Sequence, residues 1–346
     1  MTGQELVPGQ TPGMVCAHHH IYSALARGMP APPMIPRTFR QILEQIWWRL
    51  DTALDLEMLE ASARLAALEA LESGTTAIVD HHESPNAIEG SLSVIAEACA
   101  EVGVRVVCAY GVTDRHGHDG AVRGLEENRR FLGAGGRGLV GIHAAFTCSE
   151  ETLEAAAALA SELGVGVHVH VCEGPEDADA PARLAPLTTP DWLLAHGVHL
   201  PTDHGLRGTI LHNPFSNLNN SVGYANPARF SNPVALGTDG IGAQMIETFR
   251  LAYALQRSVD VTASPETAWS WLQTGWDLVP EARQDCVTWS YEPMDPWHIA
   301  FTPGIRPLRV EVGGELVWDE HGPTKVDAGE IRAKAREQAA RLHARL

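Results

Sequence analysis

Eight short apolar runs, separated mostly by stretches with helical spacing, constrain the fold of this 346-residue chain more than any other feature. The run GVGVHVHV is representative, because a short continuous apolar run is typical of a parallel-sheet strand that is buried on both faces. The eight predicted strands span residues 14–17, 76–79, 105–109, 139–143, 164–171, 192–195, 209–211 and 234–236. Eight strands alternating with helices over roughly 230 residues predict an α/β fold of the (β/α)8 barrel type, the TIM barrel.

Helical spacing of apolar residues predicts the connecting elements. Helices are expected at 51–72, 85–102 and 120–131, and a further one that ends near Leu163. Thr147 and Glu150 have the spacing of a capping box for that last helix. Beyond Met245 we expect helices at 249–255 and 265–276, a hairpin at 308–318 and a charged C-terminal helix at 328–346.

Composition limits the partners and the compartment. A formal net charge of −18 disfavours nucleic acid and anionic membranes, which bind clustered Lys and Arg, so we expect a small-molecule substrate. No apolar stretch approaches the ~20 residues that a membrane span needs, and the N-terminus lacks the basic and apolar regions of a signal peptide. Six cysteines without CxxC spacing predict reduced, buried thiols. These features favour a cytoplasmic protein.

Residues of metal-ligand type stand at the ends of the predicted strands. Residues i and i+2 of a strand share a face, so His18 and His20 can approach one ion while His19 points away. The C-terminal ends of barrel strands meet on one face, which adds His170 and Asp239 as ligands. His168 competes with His170, which is favoured because it lies nearer the strand end. Imidazole and carboxylate ligands suit one divalent ion, Zn²⁺ first and Fe²⁺ second.

Proton-transfer groups are expected beside this ion. Glu173 follows His170 by three residues and can move a proton between the catalytic water and the substrate. His196 is expected to hydrogen-bond the water or the substrate, or to serve as a further ligand. We therefore assign Glu173, His196 and Asp239 as catalytic residues.

Residues that follow the second to fourth predicted strands are candidates for substrate binding, because they emerge on the same face of the barrel. Arg115 could pair with a carboxylate or a ring carbonyl of the substrate. Tyr22 and Arg27 could close over the pocket, whereas three asparagines at 217, 219 and 220 are equally well explained as turn formers. The substrate-binding candidates are His81, His82, Asp114, Arg115 and His143.

Lysine is nearly absent from this chain. It occurs only at Lys325 and Lys334, so no lysine within the predicted barrel can act as a base or as a carbamylated bridge between two metal ions.

These motifs resemble the amidohydrolase superfamily, in particular its aminohydrolase and chlorohydrolase branch. The matching motifs are PG at 12–13, AHHH at 17–20, GTT at 74–76, HVCE at 170–173, AHG at 195–197, HNPFSN at 212–217 and GTDG at 237–240. Within the branch, the chain is most similar to SsnA-type aminohydrolases. This likeness rests on CAHHHIYSALARGM at 16–29, WWRLDTALD at 47–55, DHHESP at 80–85, SNLNNSVGY at 216–224 and LGTDGIG at 236–242.

The resemblance implies a hydrolase of C–N bonds with one metal ion, usually a deaminase of a heterocyclic ring. We expect Asp239 and His196 to orient and deprotonate the water while Glu173 protonates a ring nitrogen, after which ammonia leaves. A non-catalytic relative that keeps the metal site and acts as a scaffold or accessory protein is the alternative. Retention of Glu173 favours the enzyme, since a structural ion needs no proton carrier.

The resemblance also implies a β side domain that would be small and truncated here. We divide the chain into the hydrolase barrel at 12–285, a remnant β side domain at 1–11 and 286–322, and a C-terminal helix at 323–346. The hairpin at 308–318 carries five apolar residues, and the strands that would cover it are missing. Uncovered apolar strands promote association, so we expect a homodimer that buries the hairpin, or poor solubility.

Overall fold

The computed structural model describes residues 6–346, so part of the expected N-terminal segment 1–11 lies outside the described residues. In the described part the chain forms thirteen strands: β1 (Gln10–Thr11), β2 (Met14–His19), β3 (Thr75–His82), β4 (Arg105–Val112), β5 (Val140–Ala144), β6 (Val167–Val171), β7 (Leu193–His196), β8 (Thr209–His212), β9 (Val234–Leu236), β10 (Cys286–Trp289), β11 (Pro307–Val312), β12 (Glu315–Asp319) and β13 (Gly322–Pro323).

Strands β2 to β9 form an eight-stranded parallel sheet in which each strand pairs with the next along the chain. The sheet curls until its ends meet, where His19 bridges to Asp239. The backbone N–H groups of Thr238 and Asp239 both donate to the His18 carbonyl, at 2.9 and 3.0 Å. The predicted α/β barrel is therefore confirmed, and each predicted strand overlaps an observed one.

Twelve α-helices accompany the strands in the described residues. They are α1 (Phe39–Ile42), α2 (Trp48–Ala53), α3 (Leu56–Glu72), α4 (Ser91–Val102), α5 (Gly117–Gly133), α6 (Glu150–Leu163), α7 (Ala180–Leu184), α8 (Pro214–Asn219), α9 (Met245–Val259), α10 (Pro265–Leu278), α11 (Pro296–Phe301) and α12 (Ala328–His343). A π-helical turn, Leu43–Trp47, joins α1 to α2.

Two details of the predicted helices are wrong: one helix is divided in two, and the cap of another is a different residue. The expected helix at 51–72 is broken at Leu54, and Asp55 caps α3 by accepting a hydrogen bond from the Met58 N–H. The cap of α6 is Ser149, whose side chain accepts from the Thr152 N–H, and the predicted capping box of Thr147 and Glu150 does not form. Thr147 is engaged elsewhere, because its hydroxyl lies 2.7 Å from His143 Nδ1.

Strand β6 shows how the core positions the functional face. Val167, Val169 and Val171 are fully buried in the hydrophobic core. The period of two along a strand places His168 and His170 on its other face, where they meet the rings of β2. Because the register of a buried strand cannot slip without exposing its apolar set, these histidines are fixed in position.

The second sheet is antiparallel and is built in the order β1, β10, β11, β12 and β13. Val310 is fully buried and Val317 is 1% exposed, so the expected uncovered hairpin is wrong for these residues. Val317 packs against Gly103, where an added Cβ would lie 2.7 Å from the valine Cγ1. The barrel and strand β10 thus cover the hairpin, and Leu308 remains 38% exposed.

None of the helices in residues 6–346 combines the length and the apolar character that crossing a bilayer would require.

Candidate metal centre

Four side chains converge at the closing seam of the barrel. His18 and His20 come from the end of β2, His170 from β6, and Asp239 follows β9. Their potential ligand atoms all lie within 4.8 Å of one another, and all four residues are buried. Asp239 Oδ1 is 2.9 Å from His20 Nε2 and 3.4 Å from His18 Nε2.

The hydrogen bonds of His20 and His170 show that a cation fits between them. Nδ1 of His20 lies 2.6 Å from the His81 carbonyl, and Nδ1 of His170 lies 2.6 Å from the His143 carbonyl. Since a carbonyl only accepts, each Nδ1 carries a proton, and Nε2 is the nitrogen of each ring that faces the centre. These two Nε2 atoms are 3.2 Å apart. Two ring nitrogens that face each other at that separation need a cation between them, which is a proton in the metal-free protein and can be a metal ion when one is bound.

His18 completes the group from the other side. Its Nε2 is buried without a hydrogen-bond partner among the described residues, while its Nδ1 lies 2.8 Å from Nε2 of His168. His168 therefore supports a predicted ligand from behind, and His170 faces the centre. Such outer hydrogen bonds orient the rings of metal-ligating histidines.

Burial and charge set the protonation of this cluster. Burial lowers the pKa of His18 and of His170 well below the usual histidine value, so both rings are neutral near pH 7. Burial also disfavours protonated His20, yet the Asp239 carboxylate outweighs it and raises the His20 pKa to about 9. The protonated His20 ring lowers the pKa of Asp239 well below its usual range, against the effect of burial. The Asp239 carboxylate thus stabilises a positive charge at this centre, and a divalent metal ion can supply that charge.

A second group lies beside these ligands. Glu173, His196 and Asp239 also bring one atom each within 4.8 Å of one another. Glu173 Oε2 is 3.5 Å from His196 Nε2. Burial raises the pKa of the Glu173 carboxyl; nearby His196 opposes the increase and Asp239 adds to it. A raised carboxyl pKa makes the protonated form easier to populate, as a group that delivers a proton requires.

The backbone is strained where these residues leave their strands. His196 and Asp239 adopt φ of 75° and 56°, and Cys172, just before Glu173, adopts φ of 48°. Non-glycine residues in this left-handed region cost about 1–3 kcal/mol each, and such residues cluster at functional sites. At each of these residues the backbone turns sharply as it leaves its strand at the rim of the barrel.

Helix α8 orients the proton-transfer group. Asn217 Oδ1 lies 2.8 Å from His196 Nδ1 and directs Nε2 toward Glu173. Asn220 donates to Glu173 Oε1 at 3.1 Å, and Ser216 donates to Asp239 Oδ2. The three residues predicted to be catalytic are therefore held by Ser216 and Asn217 of α8 and by Asn220, which directly follows the helix.

A cavity of about 600 Å³, counting its open mouth, leads to the four converging side chains. Residues 37–53, here named the lid segment, contribute Phe39, Leu43, Trp47 and Trp48 to its wall. Arg115 ties the lid segment to the barrel, since its Nη2 lies 2.8 Å from Asp51 and 2.6 Å from Glu83.

The predicted substrate-binding residues lie in different places. His143 lines the cavity, whereas the other four are not among its lining residues. His81 and His82 are buried behind the cavity and bond to the Ile142 carbonyl and to Ser84. Asp114 accepts hydrogen bonds from Ser149 and Thr152 at the start of α6. Arg115 is held in the ion pairs described above, and Arg27 pairs with Glu69 outside the cavity.

Several lining residues were missed from the sequence. They are Phe39, Leu43, Trp47, Trp48, Glu83, Phe146, Glu176 and Asp177. Glu83 stands two residues after His81, directly after β3, so its place at a strand end could have identified it. The lid residues lie in a long connection whose path over the barrel is set by tertiary contacts, and no local pattern indicates it.

Comparison with known proteins gives a consistent result. The sequence profile of the amidohydrolase family matches residues 10–274. A 5'-deoxyadenosine deaminase from Methanopyrus kandleri is 31% identical over 275 residues, which are 71% of this chain and 61% of that protein. A 5-methylthioadenosine/S-adenosylhomocysteine deaminase from Shouchella clausii is 28% identical, over 75% of this chain and 65% of its own length. The chain thus spans less than two thirds of the length of both relatives.

A solved structure supports the architecture. The crystal structure of an adenosine deaminase from Xanthomonas campestris with bound zinc aligns with a TM-score of 0.80 at 21% identity. The alignment covers 97% of this chain and 86% of that one. At this identity the similarity concerns the fold.

Proposed function

Since this chain belongs to the amidohydrolase family, we propose that it is a metal-dependent hydrolase of C–N bonds that deaminates a small heterocyclic substrate. The observation that carries the proposal is the convergence of His18, His20, His170 and Asp239 beside Glu173 and His196, at the end of one cavity.

We propose one ion per chain, zinc first and iron second, held by His18, His20, His170 and Asp239. The two lysines of the chain, Lys325 and Lys334, lie near the C-terminus, so no barrel lysine can bridge a second ion. When bound, such an ion lowers the pKa of a coordinated water from 15.7 to about 7.

The remaining chemistry belongs to the side chains. Asp239 and His196 accept hydrogen bonds from the attacking water and remove its proton. Glu173 delivers a proton to a ring nitrogen, which makes the carbon next to it a better electrophile. The water oxygen bonds to that carbon, and the amino group gains the proton that Asp239 and His196 removed from the water. The C–N bond then breaks, ammonia leaves, and the remaining hydroxyl proton of the intermediate restores Glu173 as the carbonyl of the product forms. Asn217 and Asn220 hold His196 and Glu173 in the required orientation.

The first substrates to test are adenosine and 5'-deoxyadenosine. The relatives named above are deaminases of adenosine derivatives. The cavity has aromatic walls from Trp47, Trp48 and Phe146, against which a planar ring can stack.

The test combines metal analysis with an ammonia-release screen over purine nucleosides, pyrimidines, triazines and hydantoins. We expect one ion per chain and ammonia from at least one ring class. Asp239→Asn should lose both the ion and the activity, and His321→Ala, at an exposed histidine, is the matched control. Two ions within about 4 Å of each other, or no ammonia from any compound, would contradict the proposal.

The cellular setting is also a proposal. We propose a cytoplasmic enzyme without a nucleic-acid partner, which the net charge of −18 favours. A homodimer remains a prediction that sedimentation velocity can test.

A further inference from the structure

Carboxyl groups dominate the charged lining of the cavity beyond the metal ligands. Glu83, Glu173, Glu176 and Asp177 all line it, whereas none of the lining residues in the described chain is a lysine or an arginine. Aromatic rings separate these carboxyl groups, with Trp48 and Phe146 on the wall.

Two arginines pack against the Trp48 ring without lining the cavity. Arg115 is paired with Asp51 and Glu83, and its guanidinium lies 4.6 Å from the Trp48 ring centroid. Arg40 lies over the same ring at 4.8 Å and donates to Glu44 at 2.6 Å. Arg115 is therefore held by two carboxylates, and Arg40, whose side chain is half-exposed, does not line the cavity.

Two carboxylate oxygens of the wall lack a donor among the described residues. The Glu83 side chain is 5% exposed, and its Oε2 binds Arg115. Its Oε1 lies 3.8 Å from both His81 Nδ1 and His143 Nε2, beyond hydrogen-bond distance. Glu176 accepts from the Arg40 N–H through Oε1, while its Oε2 is buried and without a partner in residues 6–346. Because a buried acceptor without a donor is costly, a ligand that donates to Glu176 Oε2 is favoured, and Glu83 Oε1 offers a second acceptor.

We infer that Glu83 and Glu176 form an outer subsite that selects substrates whose substituent remote from the reacting C–N bond donates hydrogen bonds and carries no negative charge. A hydroxyl or an ammonium group satisfies the free oxygens. A phosphate or a carboxylate group meets two carboxylates in a partly dry cavity and is repelled. The inference rests on the proposed function and adds the substrate class to it.

The test uses three compounds that share one ring and differ in charge: adenosine, 5'-amino-5'-deoxyadenosine and adenosine 5'-monophosphate. Dissociation constants are measured by calorimetry on zinc-loaded Glu173→Gln protein, which is expected to bind without turnover. We expect the hydroxyl and ammonium compounds to bind at least about ten-fold more tightly than the phosphate.

Glu176→Gln on the same background removes one negative charge and should reduce this preference several-fold. Glu83→Gln is the second variant, and its folding needs a separate check because Glu83 is buried and ion-paired. Glu154→Gln removes a charge of the same sign from an exposed position of α6 that does not line the cavity, so it should leave the preference unchanged.

The outcomes separate the two levels of the proposal. Three results would each overturn the inference: equal or tighter binding of the phosphate compound, an unchanged preference in Glu176→Gln, or failure of all three compounds to bind. If any of these results is found and the wild-type enzyme releases ammonia from another ring class, the proposed deaminase function still stands. The expected binding order, with no ammonia released by the wild-type enzyme from any compound, supports the subsite and contradicts the deaminase.

Discussion

Glu173 is proposed as a proton carrier and not as a metal ligand, so substituting it can distinguish loss of turnover from loss of the metal ion. It lies beside His196, and a glutamine there has the same shape but cannot carry the proton. We expect Glu173→Gln to keep its metal ion while kcat falls by at least about 10²-fold. The measurement is metal analysis and ammonia release on the same preparation, with Glu150→Gln, at an exposed residue, as the control. Turnover close to that of the wild type would remove Glu173 from the mechanism.

Asp177 links the pH of the solution to the stability of the cavity wall. Its carboxyl accepts from the N–H groups of Cys172 and Phe146, at 2.8 and 3.0 Å, and burial raises its pKa to about 7. In the unfolded chain the pKa is about 3.9. Between these values the folded state holds a proton that the unfolded state has released, so the contribution of Asp177 to stability falls as the pH rises.

Asp177→Asn should therefore change the pH dependence of unfolding. From pH 5 to pH 7, the wild-type free energy of unfolding should fall relative to the variant by on the order of 1–2 kcal/mol. Urea denaturation of both proteins at pH 5, 6, 7 and 8 measures this difference. A difference that is constant, or that changes in favour of the wild type as the pH rises, would show that Asp177 titrates normally.

At the residue scale, sequence reasoning succeeds where a strand end identifies the residue. His18, His20, His170 and Asp239 were chosen by that criterion, and the structure brings them together. Sequence reasoning is less successful for residues whose role is to orient another side chain through a hydrogen bond. Asn217 was indistinguishable from a turn former, because its contact with His196 spans 21 residues and depends on how α8 docks.

Helix α8 and its C-cap residue contact all three of the proposed catalytic side chains. Removing the Asn217 amide frees the His196 ring to rotate, so we expect Asn217→Ala to lower kcat about 10–100-fold, as loss of such outer hydrogen bonds commonly does. Metal content should stay at one ion per chain. Asn219→Ala, at an exposed position of the same helix, is the matched control. Equal activity of the two variants would mean that α8 is only a spacer.

At the element scale, the spacing of apolar residues predicts where a helical region lies better than it predicts a break between two consecutive helices. Apolar spacing across 51–72 is continuous, and the break at Leu54 arises because Asp55 caps a new helix whose cap also pairs with Arg345. That pairing joins residues 290 apart in the sequence, which no local pattern reveals.

The whole molecule keeps all its thiols out of solvent. Each of the six cysteines is buried, and burial raises the pKa of Cys16 to about 11 and those of Cys148 and Cys172 to about 12. Because the thiolate is the reactive form, the folded chain should not react with Ellman's reagent at pH 8. Six equivalents should react after denaturation in guanidinium. Rapid labelling of the native protein would indicate that a cysteine-bearing segment opens in solution.

At this scale the barrel was predictable and the second sheet was not. The eight apolar runs predict the barrel, because a strand that is buried on both faces is apolar along its whole length. Strand β1 is two residues long, and its partner β10 lies 278 positions away at Gln10 and Thr288, so neither strand carries a period of its own. The hairpin of β11 and β12 was expected to be uncovered because the sequence did not reveal that β1 and β10 belong to the same sheet.

The division of labour around the cavity has an evolutionary consequence. Phe39, Leu43, Trp47 and Trp48 come from the lid segment, which contributes no proposed metal ligand and no proposed proton carrier. Mutations in this stretch can alter which molecules enter while the reaction itself is preserved. Diversification of substrate range within a lineage can thus proceed in small steps through functional intermediates. A laboratory library confined to these four codons would explore the same route.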